Sequence, residues 1–437
     1  MDFATSSDPA VQAQLDRLVV LRPGADILGL ERITALLARV GNPHRALPPV
    51  FHVAGTNGKG STCAFLRAAL EGDGKRVHVF TSPHLVRFNE RIRLAGRLIE
   101  DGALAEYLGR VLDAGEGVGA SFFEVSTAAA FLAFSEVPAD ACVIEVGLGG
   151  RLDATNVIVD PAACGIAQLG IDHQAFLGDS PEGIAREKAG IAKPGRPLVT
   201  QAYSSSIAAA VADAAGQSVP IFAQDERWHY DVADHLFYRD RFGTVEAWRP
   251  TLPGTHQFDN YALAMAMLRH QDRVPVTIGA LQNAARGAVW PARMQRMGDG
   301  PLRRLLPEGA ELWLDGGHNA GAARAIADTA SAAAAGRPIH FVVGMLANKD
   351  LPGFLAPLLP IAASLTGVPI ANHEHHPPSE IALLADLLDV PITGTARTLP
   401  RALGTVAANW TGEGIVLILG SLYLAGEALA LNDEPPT

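Results

Sequence analysis

Apolar runs alternate with longer helical segments along most of the chain. The runs lack polar alternation, which is typical of strands buried on both faces of a parallel sheet. We predict strands at Val50–Ala54, Val77–Phe80, Ala141–Val146, Ala163–Leu169 and Pro197–Thr200, and helices at Ser61–Leu70, Asp101–Ala114, Val125–Phe134 and Pro181–Ala189. This alternation predicts a three-layer α/β domain.

Residues 221–250 follow a different pattern, with aromatic residues and alternating charges, and we predict a small antiparallel sheet there. Helices are predicted at Phe258–Leu268 and Ile278–Ala288, and a linker is predicted at Gly298–Pro301. A second alternation follows, with strands at Glu311–Leu314, Ile339–Val343, Ser364–Val368 and Ile415–Leu419 and helices at Gly321–Ala334, Leu351–Leu359 and Ser379–Leu388. We therefore predict two domains, 1–297 and 298–437.

Composition narrows the class of protein. Of 437 residues, 48% are hydrophobic and 19% charged, as in ordinary globular proteins. The net charge of −11 argues against a general nucleic-acid binder, which needs a basic surface. The three cysteines form no C-x-x-C pair, which argues against structural zinc. There is no basic segment followed by an apolar core at the N-terminus and no apolar run of about 20 residues. We expect a cytoplasmic enzyme that does not enter a membrane.

The strongest local motif is Gly55-Thr56-Asn57-Gly58-Lys59-Gly60-Ser61, between a predicted strand and a predicted helix. Glycines let backbone N–H groups close around phosphate oxygens, and the helix N-terminus adds its positive dipole end. Lys59 can reach the β and γ phosphates, and Ser61 suits a Mg²⁺ ligand. The spacing departs from G-x-x-x-x-G-K-[ST], because Gly55 stands only three residues before Gly58. A plain glycine-rich turn is the alternative.

Polar residues follow several of the other predicted strands, at the sheet edge where open α/β folds bind ligands. Glu145 ends an apolar strand, and a metal ion is a good partner for such a carboxylate. The glycine-rich stretch 147–156 suits close approach of a ligand, and His173 follows the next strand. Lys188, on a predicted helix, matters only if it is desolvated. Each candidate has an alternative interpretation. Glu145 could be a solvated carboxylate and 147–156 a flexible loop, while His173 could be a structural histidine and Lys188 a solvated lysine.

The second predicted domain contributes fewer candidates. Arg293 follows a Trp-Pro turn, and Asp315-Gly316-Gly317-His318-Asn319 follows a strand; an interdomain salt bridge is the alternative to a nucleotide contact. The histidines of 373–376 lie in a Pro-flanked loop without cysteine, which favours a solvated loop over a metal site. No G-x-S-x-G elbow supports a serine hydrolase, and no G-x-G-x-x-G opens a dehydrogenase domain.

Taken together, these motifs resemble the folylpolyglutamate synthase/dihydrofolate synthase family of the Mur ligase superfamily. The similarity runs from Leu28 to Leu424, nearly the full chain. Its most specific segments are GTNGKGS at 55–61, SPHL at 82–85, FNERI at 88–92, GLGGRLDATN at 147–156, GIDH at 170–173, EKAGI at 187–191 and LPGTHQFDN at 252–260. Two segments depart from the family pattern: Trp290–Gln295 has Ala292 and Gln295 where WPGRxE has glycine and glutamate, and Gly317 stands where DGAHN has alanine. Both departures keep the principal polar residues.

The resemblance implies a Mur-type ATPase domain, with a central mostly parallel sheet and a small antiparallel sheet, followed by a smaller Rossmann-like domain, and an active site between the two. It implies that Lys59, His173 and Lys188 are catalytic and that Lys188 is carbamylated. It implies ATP contacts at Asn57, Gly58, Lys59, Gly60, Ser61, Asn260, Arg293, Asp315 and His318; metal contacts at Ser61, Ser82, Glu145, His173 and Lys188; and pterin contacts at Leu28, Gly29, Leu30, Phe122, Phe123, Glu124, Leu152, Asp153 and Ala154.

The activity that the resemblance implies is ATP-dependent addition of L-glutamate to dihydropteroate, to a folate polyglutamate, or to both, through an acyl phosphate. Its cofactors would be two Mg²⁺ ions, with room for a monovalent cation, and the C-terminal domain would carry the glutamate-ligase function. We expect a monomer with small-molecule partners only. Another Mur-group amino-acid ligase and a P-loop regulatory ATPase are the alternatives, and the sequence leaves open whether both folate activities are present.

Overall fold

In the computed structural model, which describes residues 4–21 and 28–437, the strands form three sheets. Strands are β1 Val50–Ala54, β2 Val77–Phe80, β3 Ile92–Leu94, β4 Arg97–Leu98, β5 Ala141–Glu145, β6 Ala163–Ile166, β7 Leu198–Thr200, β8 Ile221–Ala223, β9 Trp228–Val232, β10 Leu236–Asp240, β11 Gly243–Ala247, β12 Gln295–Arg296, β13 Ala310–Leu314, β14 Ile339–Val343, β15 Ala362–Gly367, β16 Thr393–Thr395 and β17 Gly414–Leu419.

Helices lie between most of these strands. The α-helices are α1 Pro9–Val20, α2 Glu31–Arg39, α3 Lys59–Gly72, α4 Asp101–Ala114, α5 Phe122–Glu136, α6 Gln174–Leu177, α7 Pro181–Ala189, α8 Ser205–Ala215, α9 His256–Arg269, α10 Ile278–Gly287, α11 Ala320–Ala334, α12 Leu351–Leu355, α13 Pro378–Leu387, α14 Leu399–Ala408 and α15 Leu422–Leu431. Short 3₁₀ turns occur at Pro43–Arg45, Phe88–Arg91, Ala154–Val157, Arg303–Leu305 and Leu359–Ile361. No helix among the described residues is both long and apolar enough to cross a bilayer.

The described chain divides into two compact units. The N-terminal unit holds the described residues up to Thr251 together with Gln257–Val289; the C-terminal unit holds Leu252–His256 and Trp290–Thr437. The strand β12 belongs to the sheet of the C-terminal unit, where it pairs with β13. The assignment of domains 1–297 and 298–437 stays a prediction.

The N-terminal unit is built on an eight-stranded sheet in the order β4-β3-β2-β5-β1-β6-β7-β8. The six strands from β2 to β8 in that order are parallel, and β3 and β4 add an antiparallel edge. Its β1, β2, β5, β6 and β7 are buried along their whole length, as continuous apolar runs predict. Strands β9–β11 form the separate antiparallel sheet that was predicted for residues 221–250. That prediction was wrong for Ile221–Ala223, which pairs in parallel with β7 at the edge of the large sheet.

Helix α5 shows how the sequence determines the layers. Ser121 caps its N-terminus in a capping box with Glu124, and residues 124–134 are all buried. A helix that is apolar on every side belongs in a core, and α5 packs against α4, α2 and α1. Helices α7 and α8 cover another part of the sheet around Ile166 and Leu198. The three-layer α/β prediction is confirmed.

The C-terminal unit has a six-stranded sheet in the order β12-β13-β17-β14-β15-β16, parallel except for β12. Its core joins strands β14, β15 and β17 to α11, α12 and α13. Asn319 caps the N-terminus of helix α11, and its side chain accepts the N–H of Ala322 at 2.9 Å. The predicted second α/β alternation is confirmed.

Candidate active site

The nucleotide loop joins the end of β1 to the start of α3. Gly58 precedes the helix with φ of +82°, and Gly55 has φ of +151°. A Cβ at Gly58 would also collide with Oδ1 of Asn260, so both the backbone conformation and the close approach require glycine. The side chain of Asn57 donates to Oε1 of Gln168 at 2.9 Å, and its backbone N–H donates to the carbonyl oxygen of Gln168 at 3.2 Å. The loop is therefore held against the segment that follows β6, with Asn260 beside it.

Two lysines converge on one carbonyl oxygen of this loop. The Nζ of Lys59 donates to the oxygen of Gly55 at 3.1 Å, and the Nζ of Lys188 donates to the same oxygen at 3.0 Å. Lys188 is 5% exposed. Burial, with the neighbouring charge of Lys59, lowers the pKa of Lys188 to about 7, although Asp172 and Asp153 act in the opposite direction. The amine is therefore poised between its charged and neutral forms at neutral pH.

Two glycines bring Lys188 close to the glycine-rich loop. A Cβ at Gly150 would stand 2.6 Å from the carbonyl oxygen of Glu187 and 2.9 Å from the Cα of Lys188. A Cβ at Gly190 would stand 2.8 Å from the Cα of Arg151, whose N–H donates to Glu187 at 2.7 Å. Larger side chains at either glycine would separate α7 from the loop. This packing explains why glycines stand at these places in both motifs.

A buried carboxylate lies beside the nucleotide loop. Glu145 ends β5, pairs in register with Val53 of β1, and is 5% exposed. Its Oε2 accepts the N–H of Ser82 at 3.3 Å. Burial, reinforced by the charge of Glu145, raises the pKa of the Cys63 thiol on α3, so the carboxylate lies near that helix. Ser61 is buried in the first turn of the same helix.

These residues fit a divalent cation that is shared with a nucleotide. Among the described residues, no group of three or more His, Cys, Asp or Glu side chains could hold a metal ion alone. An ion at Glu145 would therefore need hydroxyl, phosphate and water oxygens, which is the ligand set that Mg²⁺ favours.

The His173 ring lies 4.0 Å from Asp172, and its side chain is 43% exposed. It has a backbone φ of +54° and stands at the start of α6.

The segments predicted to contact the pterin meet around the start of α5. The Nε of Arg32 donates to Glu124 at 3.0 Å, and Glu124 also accepts the N–H of Ser121 at 2.6 Å. The ring of Phe123 occupies the space that a side chain at Gly147 would need. Leu28, Gly29, Leu30, Phe122 and Leu152 are half-buried, and Asp153 and Ala154 are buried. The segments before α2, at α5 and in the loop after β5 are therefore neighbours.

The sequence motifs do not reveal the role of some residues that support the candidate site. Gln168 holds Asn57, yet an amide after a strand carries no distinctive signal. The charge of Asp172 raises the pKa of Lys188, against the effect of burial. In the sequence, only its place within GIDH marked Asp172 as a candidate. Arg91 is buried, donates from Nε to Nδ1 of His84 at 2.9 Å, and lies 5.4 Å from the ring centre of Phe122. Arg91 belongs to the FNERI segment, but the sequence did not indicate that this arginine is buried next to a predicted substrate contact.

In the C-terminal unit, Asp315 organises the turn after β13. Its carboxylate accepts the N–H of Met294 at 2.8 Å and that of Gly317 at 2.7 Å. Burial raises the pKa of Asp315, and the charge of Arg293 opposes that shift. The same arginine adds to the effect of burial in lowering the pKa of His256 to about 4. Arg293, Asp315 and His256 therefore form one electrostatic group.

The His318 ring belongs to the same turn, because its Nδ1 lies 3.0 Å from the carbonyl oxygen of Gly316.

Comparison with known proteins decides the family. The family model for the C-terminal domain of dihydrofolate synthetase matches residues 302–431. Dihydrofolate synthase/folylpolyglutamate synthase of Escherichia coli is 32% identical over 409 residues, which cover 93% of this chain and 92% of that protein. The chain belongs to the dihydrofolate synthase/folylpolyglutamate synthase family. A longer relative, the probable bifunctional folylpolyglutamate synthase/dihydropteroate synthase of Halobacterium salinarum, is 32% identical, and this chain spans about half of its length.

Solved structures agree with this family. E. coli FolC in complex with DHPP and ADP has a TM-score of 0.86 and 29% identity, covering 98% of both chains. A bifunctional folylpolyglutamate synthase/dihydrofolate synthase with Mn, AMPPNP and L-glutamate bound has a TM-score of 0.84 and 29% identity, covering 98% of this chain and 99% of that one. The predicted family and fold class are confirmed, and with them the assignment as a ligase.

The two departures from the folylpolyglutamate synthase pattern have local causes or consequences. Ala292 has φ of +54°, in the left-handed region that favours glycine. The backbone is therefore strained at the position where the WPGRxE pattern has glycine. A Cβ at Gly317 would stand 2.6 Å from Cδ1 of Ile326 and 3.0 Å from Cβ of Ala322. Ile326 therefore fills the space that the family's alanine would occupy. Gly317 lies two residues after Asp315, and the carbonyl oxygen of Ala292 accepts the N–H of Gly316 at 3.0 Å, so both positions belong to the turn after β13.

Proposed function

We propose that this chain is an ATP-dependent ligase that joins the amine of L-glutamate to the carboxylate of dihydropteroate, of a reduced folate polyglutamate, or of both. Support comes from family membership and from related structures with ADP, an ATP analogue, DHPP and L-glutamate. The structural observation that carries the proposal is the convergence of Lys59 and Lys188 on Gly55. A simple phosphate loop needs only the first of these lysines.

The chemistry requires an activated carboxylate, because a carboxylate oxygen is a poor leaving group. Transfer of the γ-phosphoryl group of ATP to the carboxylate gives an acyl phosphate and releases ADP. Attack by the glutamate amine on the acyl carbon then forms the amide bond, with loss of phosphate and of the amine's proton. Two anions must approach each other in the first step. The ammonium of Lys59 and the N–H groups at the start of α3 offset that repulsion. Bound Mg²⁺ would neutralise phosphate charge. The protein needs no covalent nucleophile of its own.

We propose that Ser61, Ser82 and Glu145 hold the ion shared with the nucleotide. A second ion would lie beside Glu145 and His173, held also by Lys188 converted to its carbamate. Carbamate formation needs the neutral amine, and the lowered pKa of Lys188, about 7, supplies it. The modification replaces a cation with an anionic oxygen ligand, while Asn57, Gly58, Gly60 and Asn260 shape the nucleotide loop.

Arg293, Asp315 and His318 are proposed as nucleotide contacts of the C-terminal unit. The pterin would contact Leu28, Gly29, Leu30, Phe122, Phe123, Glu124, Leu152, Asp153 and Ala154. Residues 298–437 are proposed as the glutamate-ligase domain. We further propose a monomeric cytoplasmic enzyme with small-molecule partners.

A phosphate-release assay with ATP and Mg²⁺ tests the function. Dihydropteroate or a reduced folate is added, each with and without L-glutamate. A ligase turns over only when both partners are present. Turnover without either partner would identify a P-loop regulatory ATPase instead, and turnover with a different carboxylate would identify another Mur-group ligase. The two pterin substrates, assayed separately, decide which folate activities the chain has.

A further inference from the structure

We propose that His52 and Thr155 are positioning residues that fix the glycine-rich loop of residues 147–153 through the carboxylate of Asp153. The inference deepens the proposed function, because this loop is a proposed pterin contact. His52 stands on β1, three residues before Gly55. The two residues would thus link the strand that precedes the nucleotide loop to the loop that faces the second substrate.

A continuous chain of hydrogen bonds joins the three side chains. Nε2 of His52 lies 2.8 Å from Oγ1 of Thr155, and Oγ1 of Thr155 lies 2.5 Å from Oδ1 of Asp153. His52 and Thr155 have no exposed surface, and Asp153 is 2% exposed. Water therefore cannot replace either bond without opening the core, and a buried polar group that loses its partner is costly.

The chemistry of the groups fixes the direction of each bond. Burial raises the pKa of the Asp153 carboxyl, but both of its oxygens accept backbone N–H groups, and the single hydroxyl proton of Thr155 points to its Oδ1. The oxygen of Thr155 must then accept from His52, which places the imidazole proton on Nε2. Nδ1 of His52 is buried without a hydrogen-bond partner among the described residues. This agrees with the assignment, because an unpaired lone pair there costs less than an unpaired N–H.

The carboxylate of Asp153 also accepts hydrogen bonds from the backbone of the loop and of the turn that follows it. Its Oδ2 accepts the N–H of Leu148 at 2.8 Å, and its Oδ1 accepts the N–H of Thr155 at 3.0 Å. The backbone of Gly147 also hydrogen-bonds to this carboxylate. The start of the loop and the turn that follows it are therefore tied to one side chain, and Thr155 and His52 hold that side chain in one rotamer. Without them, Asp153 could rotate and the glycine-rich backbone would lose its anchor.

The matched pair Thr155→Val and Thr155→Ser tests the role. Valine has nearly the same shape but no hydroxyl, and serine keeps the hydroxyl. In Thr155→Val we expect the KM for the pterin substrate to rise by about tenfold or more, while the KM for ATP stays within about twofold. Thr155→Ser should resemble the wild type. A merely structural role would instead lower the active fraction and thus kcat, with both KM values unchanged; that result, or an equal rise in both, would overturn the proposal.

Hydrogen exchange provides a readout that does not depend on activity. Amides of residues 147–153 should exchange faster in Thr155→Val than in wild type or Thr155→Ser, and unchanged exchange would contradict the proposal. If the wild type lacks ligase turnover, the proposed function fails while exchange still tests the hydrogen-bond chain. If Thr155→Val does not fold, His52→Leu and its donor-retaining control His52→Gln replace the pair, with the same expected contrast.

Discussion

The Nζ of Lys188 donates a hydrogen bond of 3.0 Å to the carbonyl oxygen of Gly55, although 133 residues separate the two. Gly55 is where β1 turns into the nucleotide loop, and Lys188 lies in the last turn of α7. The contact exists because Gly150 and Gly190 allow α7 to pack closely on the loop after β5. A buried amine is thus held at the nucleotide loop, beside Lys59.

Carbamylation of Lys188 can be observed directly. With ¹³C-bicarbonate, the wild type should give a carbamate ¹³C signal that Lys188→Arg lacks, because a guanidinium does not form one. The signal should grow from pH 6 to pH 8, since the neutral amine increases as pH rises through the pKa of about 7. Lys75→Arg, which alters a lysine bound to Asp73, is the control and should keep the signal. A signal that survives Lys188→Arg would assign the carbamate elsewhere; no signal in the wild type would disprove it.

Replacement of Lys59 should abolish phosphoryl transfer. In Lys59→Ala we expect phosphate release with both substrates to fall by about 10²–10³-fold, which is typical of losing one positioned charge-stabilising group. Lys75→Ala should turn over normally and controls for the loss of a positive charge. Normal ligation by Lys59→Ala would remove this lysine from the reaction.

Gly58 is expected to be indispensable for nucleotide binding. Alanine there would face an unfavourable φ of +82° and a collision with Asn260. ADP binding, measured by calorimetry, should weaken by about tenfold or more in Gly58→Ala. Gly72, at the other end of α3, has open space around it, so Gly72→Ala should bind ADP normally and gain up to about 1 kcal/mol of stability. Equal ADP affinity in both variants would contradict this explanation of the loop.

Much of the fold follows from the sequence because buried parallel strands are continuous apolar runs. Strands β1 and β2 have the predicted bounds. The run from Ala163 leaves the sheet after Ile166, three residues before the predicted end at Leu169, because Gln168 turns to hold the nucleotide loop. Helix α12 ends at Leu355 instead of Leu359, since Pro357 has no N–H to donate to the carbonyl oxygen of Gly353.

Other features could not be read from local pattern. Strands β3 and β4 have three and two residues, too few for any periodicity to show. The motifs identified Gly55 and Lys188 separately, but their contact depends on how two distant glycines pack. Likewise, the bond between Arg91 and His84 arises from the fold of one loop rather than from a spacing rule. Long-range geometry, not residue choice, was the missing information.

The glycine at 317 should tolerate alanine only when Ile326 is shortened. Gly317→Ala places a Cβ 2.6 Å from Cδ1 of Ile326 and 2.9 Å from Oδ1 of Asp315, and overpacking of this kind costs about 1–3 kcal/mol. Ile326→Val removes that Cδ1. The double variant should therefore be more stable than the sum of the two single changes, by about 0.5 kcal/mol or more in a double-mutant cycle of denaturant unfolding. Additive effects would mean that Ile326 does not explain the departure from the family sequence.

His270 should make the protein less stable as pH falls. Its side chain is 1% exposed and its ring stacks on Phe222 at 4.3 Å, and burial lowers its pKa to about 4 despite Asp240 at 3.6 Å. The unfolded chain, with a pKa near the ordinary 6.5, binds more protons than the folded one between about pH 6.5 and 4. Stability is therefore lost over that window as pH decreases.

Replacing His270 removes this titration. In His270→Phe, the fall in unfolding free energy between pH 6.5 and 4.5, measured by urea unfolding, should be smaller than in wild type, at about 1.4 kcal/mol for each unit of pKa shift that is lost. His270→Gln is neutral at every pH, so it should flatten the pH dependence equally without adding apolar contact with Phe222. If both variants keep the wild-type slope, the acid sensitivity comes from other groups. If only His270→Phe flattens it, the slope comes from other titrating groups whose proton binding the apolar ring alters, and not from His270.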